Sequence, residues 1–321
     1  MGEDLQFSIR PMLSEDVEQA VDCFSDQYDV FDPPATVRSY LSAYPDAFFI
    51  AVTADPNDPN REQVIGVCAS PIGPQDTAFF GLYGLRAEYR GRGVGTKLFQ
   101  RCLDYIGPER NIGLYAAQSM QQKYMERGGF TIREHVSSVT CAGIPRSDLI
   151  EKLQHKVKSF NGDIHFVIGN DSTESNSSLV QMIINFDQAI HCESRDRLIH
   201  AVLNNSDYST CAIVLNEQIQ GYGCLRRHSR TSRFMLGPIY ANNYEIALQI
   251  VTNLLARQSI EQIQSNGIII HAIDCHHDSM RLAIEELKLE KISKSERLFR
   301  ERPIKINYNL IYGLFSCDFS V

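Results

Sequence analysis

Between Ala78 and Ile106 the chain passes from an apolar stretch through alternating glycines into an amphipathic stretch, and few folds accommodate that order. The run Ala78-Phe79-Phe80-Gly81-Leu82-Tyr83-Gly84-Leu85 reads as a buried strand. Tyr89-Arg90-Gly91-Arg92-Gly93-Val94-Gly95-Thr96-Lys97 follows, and Leu98, Phe99, Cys102, Leu103 and Ile106 then recur at helical spacing. Strand, glycine turn and helix thus succeed one another directly. Glycine at every second position leaves backbone N–H groups unobstructed at the first helical turn, where the helix dipole favours an anion. Arg90 and Arg92 add positive charge at the same point. The expected guest is a diphosphate.

Spacing excludes two common phosphate loops. A P-loop needs Gly-x-x-x-x-Gly-Lys-Ser/Thr, which Gly93-Val94-Gly95-Thr96-Lys97 does not supply. A dinucleotide fingerprint starting at Gly91 would place its third glycine at Thr96. An RGG-like RNA tail is a further alternative, but such tails repeat, and this single copy lies between two apolar segments. The string fits Arg/Gln-x-x-Gly-x-Gly/Ala as Arg90-Gly91-Arg92-Gly93-Val94-Gly95. It resembles the coenzyme A loop of the GCN5-related N-acetyltransferase (GNAT) superfamily.

The surrounding elements extend the resemblance over roughly residues 5–142. Phe7–Arg10 alternates as a short strand, Ser14 is a candidate cap for a helix carrying Val17, Ala20, Val21 and Phe24, and Tyr40–Tyr44 suggests a second helix. A hairpin pairs Phe48–Val52 with Val64–Ala69; Ile112–Ala116 is a strand, and a helix from Gln121 stops at Gly128-Gly129.

The second half repeats the pattern. Helices are expected at Leu179–Ile184, capped by Ser177 or Ser178, and at Arg197–Leu203. A hairpin pairs Thr210–Leu215 with Ile219–Leu225. A strand at Phe234–Ala241, a helix with Ile246, Ile250, Val251, Leu254 and Leu255 inward, a strand at Gly267–His271 and a helix at Ser279–Leu287 follow. The Gly237-Pro238-Ile239-Tyr240-Ala241 stretch and the Asp187…Arg195-x-Arg197 segment look like the C-terminal domain of two-domain, YitH-like GNAT proteins. The turn after that strand has no alternating glycines, and Pro238 removes an amide donor.

The fold class this implies is α/β (α+β): two tandem GNAT folds, each a mixed, mostly antiparallel sheet flanked by helices. Residues 1–145 form the coenzyme-binding domain, 146–160 (a helix from Asp148 to Phe160) the linker, and 161–321 the diverged second domain. The length of 321 residues suits two domains.

For the first half, the resemblance implies that the amides of Tyr83 and Leu85 bind the thioester and pantetheine arm of acetyl-CoA. Gly91, Gly93, Val94, Gly95 and Thr96, beside Arg90 and Arg92, hold the diphosphate, and Gln118 stands where an asparagine commonly touches the arm. The lysine-acetylating branch has a glutamate eleven residues before the loop motif; here that position is Phe79, which accepts no proton. Asp76, Glu88 or a distal histidine remain as bases, with no spacing that selects one. The family's leaving-group tyrosine aligns with Met125, and Tyr124 stands one residue earlier, about 100° round a helix. Tyr124 is therefore the candidate general acid.

The implied function is acetyl transfer from acetyl-CoA to an amine of a small molecule or protein, by direct attack in a ternary complex. A degenerate acyl-CoA sensor is the alternative, favoured by Phe79 and Met125. The cluster His271, Asp274, Cys275, His276, His277 and Asp278 lacks the paired spacing of a structural zinc site, and no metal is expected. The run Arg226–Arg233 reads as a solvated hairpin turn. Net charge of −8 argues against a nucleic-acid partner and mildly favours a cationic acceptor. No apolar run reaches membrane-spanning length, and the acidic N-terminus is no secretory signal. Nine dispersed cysteines without a CxxC pair suggest a reduced, cytoplasmic protein, monomeric or homodimeric.

Overall fold

In the computed structural model the apolar run at Ala78 is cut in two, and the cut organises the molecule. The structure describes residues 5–26, 32–145, 148, 163–167 and 174–319. The first half runs β1 (Ser8–Pro11), α1 (Val17–Val21), α2 (Pro34–Ala43), β2 (Phe48–Asp55), β3 (Asp58–Ala69), β4 (Thr77–Phe79) and β5 (Gly81–Leu85). It continues with α3 (Val94–Ile106), β6 (Asn111–Ala117), α4 (Gln121–Gly128) and β7 (Ile132–Gly143). The second half runs β8 (Asp163–Val167), α5 (Glu174–His191), α6 (Asp196–Leu203), β9 (Tyr208–Leu215), β10 (Gln218–Arg227) and β11 (Phe234–Ala241). Then come α7 (Tyr244–Ala256), α8 (Ile260–Asn266), β12 (Ile268–Ile273), α9 (His277–Arg281), β13 (Glu290–Phe299) and β14 (Ile311–Gly313).

Local chemistry moves several expected boundaries. Ser14 does not cap α1: the Asp16 carboxylate accepts the Leu13 N–H at 2.8 Å after a single 3₁₀ turn, because Arg10 fixes that carboxylate in place. Ser177 and Ser178 lie inside α5, whose helical run already includes Glu174. α4 stops where expected, on left-handed Gly129. The expected linker helix lies outside the described residues, apart from Asp148.

The strands form a four-stranded sheet, β1-β2-β3-β5, and a ten-stranded one ordered β4-β6-β13-β7-β12-β11-β10-β9-β8, with β14 on β11. The middle of the large sheet alternates between the halves. β13 of the second half lies between β6 and β7 of the first, and β7 in turn pairs with β12. The two domains therefore exchange strands. Glu290–Phe299, which shows no apolar alternation, becomes an interior strand because neighbours on both edges satisfy its backbone. Buried Arg297 lies against the rings of Phe79, Tyr115 and Phe299.

Helices cover both faces. α3 packs Leu98, Cys102 and Ile106 on the first half's sheet, and α7 packs Ile246, Ile250, Val251 and Leu254 on the second's. A third cluster joins the halves: Val17, Tyr40, Phe48 and Leu82 of the first surround Phe315 and Phe319 from the end of the chain. Burying each of those two phenylalanines stabilises the junction by about 1.5–3 kcal/mol.

Candidate active site at the strand break

β4 and β5 part company at Phe80. β4 runs parallel to β6 (Thr77↔Asn111 to Phe79↔Gly113), and the Phe80 N–H makes one further bond to the Gly113 carbonyl at 2.8 Å. Beyond it, β5 pairs only with β3 among the described strands. A wedge therefore opens between β5 and β6, with the other edge of β5, carrying Tyr83 and Leu85, free of strand pairing. Leu82, at φ 47°, turns the backbone at the apex.

The glycine turn closes one end of this wedge. Gly91 (φ 79°) and Gly93 (φ 82°) are left-handed, a conformation side chains resist, and a Cβ at either would point into open space. Gly95 is small for another reason: a Cβ there would lie 2.6 Å from Tyr83 Oη. α3 begins at Val94 with no side chain capping it among the described residues. Its first-turn amides at Val94, Gly95 and Thr96 thus face outward beside exposed Arg92, a geometry fitted to a phosphate group.

Arg90 is differently engaged. Its Nη1 and Nη2 hold the Asp26 carboxylate at 3.0 and 3.2 Å, and Nε donates to the Leu85 carbonyl at 3.1 Å. The hydrogen-bonded guanidinium holds the Asp26 carboxyl below its ordinary range. Arg90 clamps the loop to the strand end.

An aromatic cluster packs beneath α3 around Phe80, where the strands part. Phe80 contacts Tyr83, Phe99 and Tyr124 at ring separations of 5.3, 4.8 and 6.3 Å. Tyr124 faces this group, whereas Met125 turns its sulfur to Arg133 at 3.3 Å. Burial, then the neighbouring Tyr83, pushes the Tyr124 phenol well above its ordinary value, so it carries its proton at neutral pH. Gln118 is exposed past the end of β6, in the wall of an open groove of about 350 Å³ with Gln121, Ser137, Asp274 and Lys294. Phe79 is buried against Tyr115 and Arg297. Asp76 pairs with Arg110 at 2.8 Å on the surface, and Glu88 is exposed.

The histidine-rich segment of the second half does not converge. His271 is buried, with Nδ1 3.1 Å from Thr140 Oγ1, and burial drives its pKa down to about 3. His276 binds the Ile311 carbonyl, Asp274 pairs with Lys294, and His277 is exposed. The basic run is not a solvated turn throughout. Arg226 is fully buried and donates to the carbonyls of Gly237 and Phe315, while Arg230 pairs with Asp22 and Glu18. Asp187 and Arg195 form a buried bidentate pair, to which the Tyr222 hydroxyl donates at 2.7 Å.

Sequence reasoning did not anticipate the path of the last residues. β14 pairs with β11, and the Leu314 N–H donates to the His271 carbonyl of β12 at 2.8 Å, so the chain's own end spans the second half's wedge. The tail then crosses to the first half. Ser316 Oγ donates to Asp32 and accepts the N–H groups of Asp318 and Phe319, both at 2.9 Å; the Tyr40 hydroxyl holds the Phe319 carbonyl at 3.0 Å. A Cβ on Gly81 would collide with the Asp318 carbonyl, and the Leu82 amide hydrogen-bonds the Asp318 carboxylate. Asp318 therefore stands at the strand break. Asp32, Cys317 and Asp318 bring their ligand-type atoms within 4.8 Å of one another, but the Arg226 guanidinium, 3.6 Å from Asp32, supplies positive charge there. Asp318 belongs to no motif, and the residues it meets lie far away in the chain, so nothing in the sequence marked it.

Residues 17–127 match the model of the acetyltransferase (GNAT) family, and residues 183–313 match that of an acetyltransferase (GNAT) domain; together they span most of the chain. The chain is 24% identical over 242 residues, 74% of each protein, to the uncharacterized N-acetyltransferase YitH of Bacillus subtilis (strain 168). Its fold is similar to that of a putative acetyltransferase from Pyrococcus horikoshii (TM-score 0.67, 19% identity, 99% of this chain and 98% of that one). It is also similar to a tandem GNAT protein from the clavulanic acid biosynthesis pathway (TM-score 0.59, 12% identity, 92% and 98%). Among the described residues no helix is long and apolar enough to cross a membrane.

Proposed function

The chain belongs to the GNAT acetyltransferase family, with a GNAT fold in each half, and from that premise we propose that its first half moves an acetyl group from acetyl-CoA to an amine. The observation that carries this reading is the uncapped first turn of α3, set on left-handed Gly93 beside the unpaired edge of β5. Amides of Val94, Gly95 and Thr96 bind the diphosphate, with Arg92 alongside. Free amides on β5, from Tyr83 to Leu85, receive the pantetheine arm and polarise the thioester carbonyl as negative charge develops on it. The amine attacks directly in a ternary complex, and Tyr124, still protonated at neutral pH, protonates the leaving thiolate.

The units are residues 1–145 and 161–321, joined by 146–160, with the second unit supporting the first and binding no coenzyme. The acceptor is an amine of a small molecule or protein, and the setting is cytoplasmic. Isothermal titration with acetyl-CoA and release of free CoA thiol on adding amines test the proposal together. Tight binding without amine-dependent thiol release favours the acyl-CoA sensor, a reading supported by Phe79 at the glutamate position.

A further inference from the structure

A transferase of this kind needs a group to take the proton of the attacking nitrogen, and the first half supplies none at the expected position. Phe79 is apolar and packed, Asp76 is engaged on the surface, and Glu88 is exposed. The carboxyl group at the strand break comes from the far end of the chain. We infer that Asp318, delivered by the C-terminal tail, is the general base of the acetyl transfer, an inference that rests on the function proposed above.

Geometry places it there. The Asp318 backbone lies directly on Gly81, and the Leu82 amide holds its carboxylate at the point where β4 and β5 separate. Phe315 and Phe319 pack on the α1–α2 face of the sheet, while Tyr124 belongs to the cluster beneath α3 on the other. Base and acid thus approach the apex from opposite faces, so that each can serve a different substituent of the tetrahedral intermediate.

Charge points to the same substrate class. The groups around the carboxylate are Asp32, Arg226, Cys317 and, across the strand, Tyr124. Asp32 and Asp318 share a single neighbouring guanidinium, and the buried Asp318 Oδ2 atom has no hydrogen-bond partner. A buried carboxylate oxygen without a donor is costly, and an arriving ammonium supplies both charge and donor. Burial first, and Asp32 second, raise the Asp318 carboxyl well above the usual carboxylate range.

The step balances as follows. Asp318 Oδ2 takes one proton from the bound ammonium and frees the nitrogen lone pair, which forms the N–C bond. The carbonyl C=O opens to an oxyanion and re-forms as C–S breaks, the sulfur takes a proton from Tyr124, the second nitrogen proton passes through solvent to the Tyr124 phenolate, and Asp318 releases its proton to solvent. The products are the N-acetyl amine and CoA thiol.

The test uses the full chain, acetyl-CoA and a panel of a simple alkylamine, a diamine, an arylalkylamine and a lysine-containing peptide. With the best acceptor, Asp318→Asn lowers kcat about 100-fold or more while acetyl-CoA affinity stays within about twofold. Formate restores part of the rate to Asp318→Ala. Asp32→Asn removes the neighbouring negative charge, lowers the carboxyl pKa of Asp318 and moves the acidic limb of the kcat/KM profile to lower pH. An Asp318→Asn variant with wild-type kcat and pH profile overturns the assignment, as does one that loses acetyl-CoA affinity in step with kcat. Wild-type protein that releases no thiol with any amine overturns the transfer reading and this inference with it.

Discussion

At the strand break of the first half, β5 presents a bare edge to β6 and the helix beyond starts on left-handed, uncapped Gly93. At the matching break of the second half, β14 lies against β11, Leu314 reaches β12, and Asn243 caps the helix by accepting the Ile246 N–H at 3.0 Å. The same two sets of backbone donors, the strand edge and the helix N-terminus, exist in both. In the first they remain available, and in the second the chain itself uses them. The second copy has no need of alternating glycines because its helix amides have a side-chain partner. Its Gly237 serves packing instead: a Cβ there would collide with the Leu314 carbonyl.

The most severe test of this contrast fills the available set. Gly93→Glu forces a side chain into left-handed geometry and places a carboxylate where the diphosphate sits. Loss of charge-assisted hydrogen bonds worth about 3 kcal/mol lowers acetyl-CoA affinity at least ~100-fold. Titration calorimetry measures it, with circular dichroism expected to be unchanged. Unaltered affinity would break the comparison, since the two helix starts would then be equivalent.

Next in size is Gly237→Val, which drives β14 off β11. Overpacking of this kind costs about 2–3 kcal/mol, read as a lower urea midpoint. Because the tail that follows β14 reaches Asp318, thiol release falls with stability, whereas the glycine turn, which is not among the atoms the new side chain would meet, keeps its acetyl-CoA affinity. Asn243→Ala is milder. It removes one cap, costs about 1 kcal/mol, and leaves acetyl-CoA affinity as it was. An affinity loss in Asn243→Ala would show that the second helix start also binds coenzyme.

What was legible in the chain follows from how local the signal is. The glycine turn, the helix stop at Gly129 and the hairpins announce themselves within ten residues, through backbone geometry that few residue types adopt. The apolar run at Ala78 reads correctly as buried but not as broken, because the break depends on which partner each part pairs with: β6 before Phe80 and β3 after Gly81. β13 was invisible. Glu-Lys-Ile-Ser-Lys-Ser-Glu-Arg carries no periodicity, and its place between β6 and β7 is set by backbone pairing across the exchanged sheet. Asp318 is the extreme case. Its surroundings come from Asp32, Gly81 and Leu82, hundreds of residues away, and no window of sequence contains them. Tyr124 and Met125 could be told apart only once the helix was placed, with one ring on Phe80 and the other side chain on Arg133.

The smallest effect sharpens the comparison most, because it concerns a residue of the glycine motif itself. Arg90 opens the motif, and a cation next to a diphosphate site invites assignment to the phosphate. Its guanidinium is instead committed to Asp26 and the Leu85 carbonyl. Both side chains of that ion pair are substantially exposed, so it contributes under about 1 kcal/mol to stability. If Arg90 acts as a clamp, Arg90→Gln keeps the amide-to-carbonyl contact, lowers stability slightly and changes acetyl-CoA affinity by less than about threefold, with an unaltered salt dependence. If the guanidinium leaves Asp26 for the diphosphate on binding, the same variant loses affinity about tenfold, and the loss shrinks as salt is raised. The first outcome means that what distinguishes the open wedge from the filled one is its free backbone amides, with the arginine holding the turn that exposes them.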